Sequence, residues 1–241
     1  LNEYRIESIL SGNTSALDKI SFLRAVNQNF GQWIKIIFTK ERIISDVEEN
    51  SLNWAFMRRS QDAFVRMKRG NLFIFSSDDA SRLGAKIKAE LNMLDGCIQE
   101  GRFGLSQIYP PEKIVTALEE AQNAAIIAQK LDLRVQEYDP TSAVFFLNSL
   151  QDNAMLRDYY SRHVAAINGS NETVRSELMQ TLREYVVAKS DIGEVSRKMH
   201  QHPNTIRYRI NKIKSLLGME DDVIKFHETA ALLVTIEKVL Q

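Results

Sequence analysis

The chain has 241 residues, 44% of them hydrophobic, and its 31 basic residues balance 31 acidic residues. This length predicts at least two domains with their own cores, and the neutral balance means that affinity for a polyanion must come from a local cluster of charge. The single cysteine, Cys97, excludes an internal disulfide and has no Cys or His neighbours at zinc-ligand spacing. No apolar run approaches the roughly 20 residues of a membrane helix. We therefore expect a cytoplasmic protein with no membrane partner.

The first part of the chain has the pattern of strands alternating with helices. Apolar residues at helical spacing predict helices within about the first thirty residues. The run WIKIIFT, Trp33 to Thr39, is β-branched and aromatic, which predicts a buried strand, and a helix is expected over 48–61. The stretch AFVRMKRGNLFIFSS predicts a hairpin, because Gly70 and Asn71 tolerate the positive φ of hairpin turns.

Further elements complete the same pattern. Asp78 to Leu94 predicts a capped helix, and residues 102–106 predict a strand. The stretch that begins PPEKIVTAL predicts a long helix, and RVQEY predicts a short final strand. The expected fold class is α+β, with helices packed against a sheet of about five strands and then an all-helical part. We assign four aromatic side chains to the core: Trp33, Trp54, Phe73 and Phe75.

The strand pattern stops after Asp139-Pro140, and the remaining residues have helical periodicity. We therefore predict a domain boundary near Pro140. The expected organisation is a first domain over 1–140, a helical connector over 141–172 and a small all-helical domain over 173–241.

The stretch HQHPNTIRYRINKIKSLLG predicts an amphipathic helix over 203–217, with Pro203 in its first turn. At about 100° per residue, Ile206, Ile210, Ile213 and Leu217 fall within about 60° of one another and are expected to pack inward. The polar side chains that point away from this stripe are Asn204, Arg207, Tyr208, Asn211 and Lys214.

The residues before this helix predict a helix-turn-helix. DIGEVSRKM has the pattern of a short amphipathic helix, and HQH has the length of the connecting turn. From Ser196 to Gly218 there are six basic residues and no acidic residue, which is the charge pattern of phosphate binding. A plain structural or protein-binding helix with a solvated basic face is the alternative.

The C-terminal residues resemble the helix-turn-helix of the PucR/CdaR family of bacterial transcription regulators. A leucine-rich helix with an L-x-x-Y element, Leu182 to Tyr185, precedes a run similar to the family's H-x-H-R-N-T-L-R-Y-R-L. Pro203 stands where the family commonly has Arg. The matching positions of this run are His200, His202, Asn204, Thr205, Arg207, Tyr208 and Arg209, with Ile206 and Ile210 in place of the leucines.

The resemblance extends upstream, because the stretch that begins GRFGLSQIYPPEKI is similar to the second half of the GGDEF-like domain of CdaR-type regulators. It implies a degenerate GGDEF-like regulatory or dimerisation domain over 1–140. It also implies a homodimer on double-stranded DNA with an inverted-repeat operator, in control of a bacterial metabolic operon. A small-molecule effector would act through a sensor domain before Leu1, since the absence of an initiator Met suggests a fragment.

Catalysis is not expected. True GGDEF cyclases need carboxylates at a hairpin turn to hold a divalent metal, and the corresponding turn here, 68–72, has no acid. Asp78 and Asp79 are expected to cap a helix, and Cys97 is expected to be a small core residue. The four histidines lack metal-ligand spacing, so no cofactor or metal is predicted, and His202 is expected to contact phosphate or pack in the turn.

The resulting hypothesis is a DNA-binding regulator that is not an enzyme. Base edges would be contacted by Arg207, Asn204, Tyr208 and Asn211. A non-catalytic nucleotide-sensing module and a protein-interaction adaptor remain as alternatives. The DNA backbone would be held by Arg197, Lys198, Thr205, Arg209, Lys212 and Lys214.

Overall fold

The computed structural model describes residues 29–67, 69–167 and 172–240. Contacts divide the chain into two compact units, Leu1–Phe145 and Phe146–Gln241. The helices predicted before residue 29 lie outside the described residues. The three-part division at 140 and 172 stays a prediction.

The first unit contains a five-stranded sheet in the order β2-β3-β1-β4-β5, antiparallel except for the parallel pair β4 and β5. Its helices follow strands along the chain, so the predicted α+β class is confirmed. The strands are β1 (Trp33–Thr39), β2 (Ala63–Met67), β3 (Gly70–Ser77), β4 (Phe103–Leu105) and β5 (Val135–Glu137). The helices are α1 (Asp46–Met57), α2 (Ala80–Cys97) and α3 (Ile114–Lys130), the last preceded by a 3-10 turn at Pro111–Lys113.

Helices cover both faces of this sheet, which explains why β1 is mostly apolar instead of alternating between apolar and polar residues. Ile34, Ile36 and Phe38 point to the face covered by α3. Ile37 points to the opposite face, where α1, α2 and the phenylalanines of β3 pack. Phe73 and Phe75 are fully buried, as predicted.

Gly104 in β4 allows α3 to approach the sheet closely. A Cβ at this position would lie 2.0 Å from the carbonyl oxygen of Ala121 and 2.1 Å from the backbone nitrogen of Ala125. Ser106, at the end of the same strand, is buried, and its Oγ accepts a hydrogen bond of 2.9 Å from the N–H of Ile36. Gly104 and Ser106 in and after β4, and Ala121 and Ala125 of α3, therefore serve the packing of α3 on the sheet.

Three details of the first unit differ from the sequence predictions. The helix predicted over 48–61 is Asp46–Met57, and the next residues form a turn. Asn71 is buried within β3 and donates a hydrogen bond of 2.9 Å to the carbonyl of Glu41, so Gly70, with φ of 137°, is the glycine of the hairpin turn. Trp54 is 63% exposed because Leu52 and Phe56 form the inward face of α1.

The second unit is entirely helical over the residues that the structure describes. Its core joins α6, α7 and α8 to α5 and to the C-terminal helix α9. Thus α9 packs within its own unit. The bounds are α5 (Ala154–Ile167), α6 (Glu172–Val187), α7 (Ile192–Met199), α8 (Pro203–Leu216) and α9 (Val223–Leu240), while α4 (Ala143–Ser149) crosses the point of division.

Candidate nucleic-acid interface

Helices α7 and α8 form the predicted helix-turn-helix, and local hydrogen bonds define the turn between them. Asp191 caps α7 by accepting hydrogen bonds from the N–H groups of Gly193 and Glu194. His200 ends α7 in the left-handed conformation with φ of 52°. Ser196 Oγ then donates a 2.5 Å hydrogen bond to the carbonyl of Gln201 across the turn. These contacts fix the direction in which α8 begins.

His202 caps α8. Its Nδ1 accepts a hydrogen bond of 3.2 Å from the N–H of Asn204, and Pro203 occupies the first helical position, where no N–H is needed. Because Nδ1 is an acceptor, the proton of the neutral ring is on Nε2. The exposed imidazole can therefore donate from Nε2 to an anion at the helix N-terminus.

The aliphatic stripe of α8 is buried as predicted. Ile206 and Ile213 are 0% exposed and Ile210 is 3% exposed, and all three pack in the core of the helical unit. Leu217 is only half-buried, because α8 ends at Leu216 and Leu217 is the C-cap. The stripe fixes the rotation of α8 about its axis.

The opposite side of α8 carries exposed polar side chains, among them Asn204, Arg207, Tyr208 and Asn211. Tyr208 is 65% exposed, a high value for an aromatic side chain. Arg207 Nη1 donates a hydrogen bond of 2.9 Å to Oδ1 of Asn204. These side chains form one polar surface of donors and acceptors, which we name the α8 outer face.

The basic side chains that were predicted to hold the DNA backbone lie in different environments. Arg197 and Lys198 are exposed in the last turn of α7, and Lys198 Nζ lies 3.2 Å from Glu194. Thr205 and Lys212 are half-buried on α8. Lys214 is also half-buried, and its Nζ lies 5.2 Å from the centroid of the Phe226 ring of α9.

Arg209 does not belong to this group. Its Nη2 lies 2.6 Å from Oε2 of Glu177 on α6, and its Nη1 donates to Thr181 at 3.4 Å. Its side chain is only 15% exposed. The sequence prediction that Arg209 holds the DNA backbone does not agree with this placement, because the guanidinium already has a carboxylate partner and faces α6.

Sequence patterns did not indicate Glu177 and Thr181 as partners of α8. Both lie on α6, 32 and 28 residues before Arg209. A pair so distant in the chain has no local spacing signal. The one available clue is geometric, because at about 100° per residue Arg209 falls about 60° from Ile206, at the edge of the buried stripe.

The L-x-x-Y element of α6 belongs to the core of the helical unit. Leu182 is 0% exposed and Tyr185 is 7% exposed. The Tyr185 hydroxyl forms a 2.9 Å hydrogen bond with Nε2 of His227 on α9. This tyrosine therefore connects α6 to α9.

Among the described residues, no group of three or more His, Cys, Asp or Glu side chains could hold a metal ion. None of the helices in the described ranges is long and apolar enough to cross a membrane. Asp79 caps α2 by accepting from the N–H of Ser81, and Asp78 Oδ1 accepts from the N–H of Gln32. Burial and the Glu48 carboxylate raise the pKa of the half-buried Cys97 thiol, which disfavours the reactive thiolate.

The first unit has a polar cleft of about 760 Å³ next to the β2–β3 hairpin. Arg66 on its wall is paired with Glu49. Both cationic and acidic side chains line the cleft. The cationic ones are Lys40, Arg42, Arg66 and Arg69, and the acidic ones are Glu41, Asp46 and Glu49.

Comparison with known proteins identifies the helical motif. Residues 178–234 match the PucR C-terminal helix-turn-helix domain, so the resemblance found from the sequence is confirmed for this part of the chain. An uncharacterized protein of Haemophilus influenzae is 40% identical over 42 residues, which is 17% of this chain and 11% of that protein. The crystal structure of a regulator of polyketide synthase expression from Bifidobacterium adolescentis aligns with a TM-score of 0.46 and 14% identity, covering 99% of this chain and 91% of the other.

Proposed function

We propose that the chain is a sequence-specific DNA-binding transcription regulator that inserts α8 into the major groove. The observation that carries the proposal is the α8 outer face, which exposes guanidinium, amide and phenol groups on the helix of a PucR-type helix-turn-helix. In helix-turn-helix proteins the second helix contacts base edges and the first crosses the backbone. The exposed polar side and the buried aliphatic side of α8 fit that arrangement.

Arg207 and the two asparagines of the outer face, Asn204 and Asn211, are the groups that contact base edges in this proposal. A guanidinium forms paired hydrogen bonds with guanine and an amide forms them with adenine, while Tyr208 can donate to phosphate or stack. The backbone is held by Arg197, Lys198, His202, Thr205, Lys212 and Lys214. Arg209 has a positioning role, because it holds α8 against α6 through Glu177.

A homodimer follows from the small size of one helix-turn-helix site. A single motif contacts only a few base pairs, so useful specificity needs two copies about one helical turn apart on an inverted repeat. We assign the first unit to dimerisation or signal relay without catalysis, and the target to a bacterial metabolic operon in the cytoplasm. Analytical ultracentrifugation of the chain should show a concentration-dependent dimer, and a monomer at all concentrations would contradict this assignment.

Selection of bound duplexes from a random pool tests the proposed function. We expect the selected sequences to share an inverted repeat whose half-sites are about 10 base pairs apart, centre to centre. The matched control is the same selection with Asn204→Ala/Arg207→Ala, which keeps the buried stripe and should not enrich that repeat. Enrichment of no sequence by the unaltered chain, although it binds DNA, would contradict sequence-specific recognition.

A nucleotide-sensing role of the first unit is the second candidate, and the observation that favours it is the 760 Å³ cleft with its four cationic side chains. Calorimetry with GTP and with cyclic dinucleotides tests for such a ligand. Heat of binding that is lost in Arg69→Gln would support a sensor. A protein-interaction adaptor, in contrast, would show no salt-dependent DNA binding.

A further inference from the structure

Besides the cleft of the first unit, there is a cavity of about 240 Å³ in the helical unit, lined by residues of α5, α6 and α9. Its volume is below the range of about 300–1,000 Å³ that drug-sized ligands occupy, so a smaller molecule would fill it. Val164 and Met179 form the apolar part of its wall, and both are buried in the core of the unit.

A partly buried ion pair lies at the edge of this cavity, since the Arg183 side chain is 43% exposed. The Glu237 side chain is 9% exposed and accepts two hydrogen bonds of 2.6 Å from Nε and Nη2 of Arg183. Glu237 is the buried partner, and its two hydrogen bonds from Arg183 offset part of the cost of burying its charge. Together the two side chains carry no net charge.

Tyr160 adds a hydrogen-bond donor to the same cavity. Its hydroxyl donates to Oε1 of Glu237 at 3.4 Å. Burial, followed by the negative charge and the hydrogen bond of Glu237, raises the pKa of Tyr160 to about 12. The phenol therefore keeps its proton at neutral pH. Perturbed titratable groups that line a cavity are typical of binding sites.

Arg175 supplies positive charge that the cavity does not neutralise. It lines the cavity, and it is close enough for its charge to act on the Tyr160 hydroxyl. Among the residues whose side chains the structure describes, no carboxylate forms an ion pair with Arg175. Because the charges of Arg183 and Glu237 cancel, the side chains that line the cavity have a net charge of +1.

We propose that this cavity is a binding site for a small carboxylate. Arg175 would form the paired hydrogen bonds that a guanidinium makes with a planar carboxylate, and the Ser176 hydroxyl can donate to the same group, whereas the Tyr160 proton is already donated to Glu237. A monoanion matches the single unbalanced charge. A phosphate dianion would exceed this single positive charge, and Val164 and Met179 suit the apolar body of an organic acid.

Helix α6 connects this cavity with α8. At about 100° per residue, Arg175, Met179 and Arg183 lie within about 80° on one side of α6, whereas Glu177 and Thr181 lie about 200° and 240° from Arg175. The second pair holds Arg209 of α8. An effect of the carboxylate on DNA binding would rest on the proposed function, but binding of the carboxylate itself does not.

The binding experiment uses the whole chain without DNA, labelled with ¹³C at the methionine methyl groups. The probes are acetate, butyrate and benzoate, the neutral amide of each, and inorganic phosphate. We expect at least one carboxylate to shift the Met179 methyl signal in a saturable way, while its amide and phosphate do not. In Arg175→Gln the affinity should fall about tenfold or more, because a charged hydrogen-bond partner is lost.

Arg162→Gln is the matched control, because Arg162 is an exposed arginine on α5 that does not line the cavity. Its affinity for the carboxylate should equal that of the unaltered chain. The proposal is overturned if no carboxylate shifts Met179, if the amides or phosphate bind as well as the carboxylates, or if Arg175→Gln binds unchanged. Since DNA is absent, none of these results bears on the regulator proposal.

Discussion

Arg207 and Asn204 interact before any DNA is present, through a hydrogen bond of 2.9 Å. This bond restricts two exposed side chains on one turn of α8, and restricted side chains lose less conformational entropy on binding. The pair is therefore the part of the α8 outer face that is best prepared to contact a base edge.

Replacement of Arg207 by Ala should weaken binding to the selected inverted repeat by about 1–3 kcal/mol and relax the base preference at one position. The physical reason is the loss of a bidentate contact that only one base satisfies. Binding to selected and scrambled duplexes, measured by fluorescence anisotropy, checks this result.

Arg162→Ala serves as the control for this variant, since it removes an exposed arginine of the same unit from a different helix. Its affinity for both duplexes should be that of the unaltered chain. If Arg207→Ala also discriminated between the duplexes as the unaltered chain does, the assignment of Arg207 to base contact would be wrong.

At the scale of elements, α8 is held by its buried isoleucines and by the contact of Arg209 with α6. Glu177 is about half exposed, so solvent screens the ion pair and its contribution to stability is about 1 kcal/mol or less. The contact also helps to fix the orientation of α8, and a rotated α8 would present different side chains to the groove.

A double-mutant cycle with Glu177→Gln and Arg209→Gln tests this positioning role. The two changes should be coupled in the free energy of unfolding, and Glu177→Gln should weaken specific DNA binding although it removes no cation. Arg209→Gln should leave the salt dependence of DNA binding unchanged. If the slope of log affinity against log salt concentration were lower by about one, Arg209 would instead be a phosphate contact.

The N-cap of α2 provides a pH-dependent contribution to the stability of the first unit. The Ser81 hydroxyl, and then the Ser81 N–H, donate hydrogen bonds to Asp79 and lower the pKa of its carboxyl below 3.8. Because the folded pKa is the lower one, the stabilisation is present above the unfolded pKa and is lost as pH falls through the folded pKa.

Asp79→Asn removes this titration and keeps an oxygen that can cap the helix. The unaltered chain should therefore be more stable than the variant near neutral pH, and the difference should shrink as the pH falls below 3.8. Urea unfolding followed by tryptophan fluorescence measures the first unit, because Trp33 and Trp54 are the two tryptophans of the chain. A difference that does not change with pH would refute this explanation.

Sequence patterns predicted the elements that depend on local periodicity. The run Trp33–Thr39 formed the expected strand, and the buried stripe of α8 followed from its phase. Long-range contacts were beyond such patterns. The partner of Arg209 lies 32 residues away, and the exposure of Trp54 depends on which side of α1 meets the sheet.

At the scale of the whole molecule, a chain without net charge has one motif whose basic residues are not balanced by local acidic residues. The segment from Ser196 to Gly218 has six basic residues and no acidic ones, while acidic residues follow it. The rest of the chain has 25 basic and 31 acidic residues, so its net charge is −6 and it adds no nonspecific attraction to a polyanion. Binding to DNA should therefore depend on this motif alone.

The salt dependence of duplex binding by the whole chain tests this claim most directly. The account predicts that the logarithm of the affinity falls linearly with the logarithm of the salt concentration, and that Lys212→Ala weakens binding to all duplexes alike and lowers the slope by about one. An affinity that does not change with salt, or no binding to any duplex at low salt, would contradict it.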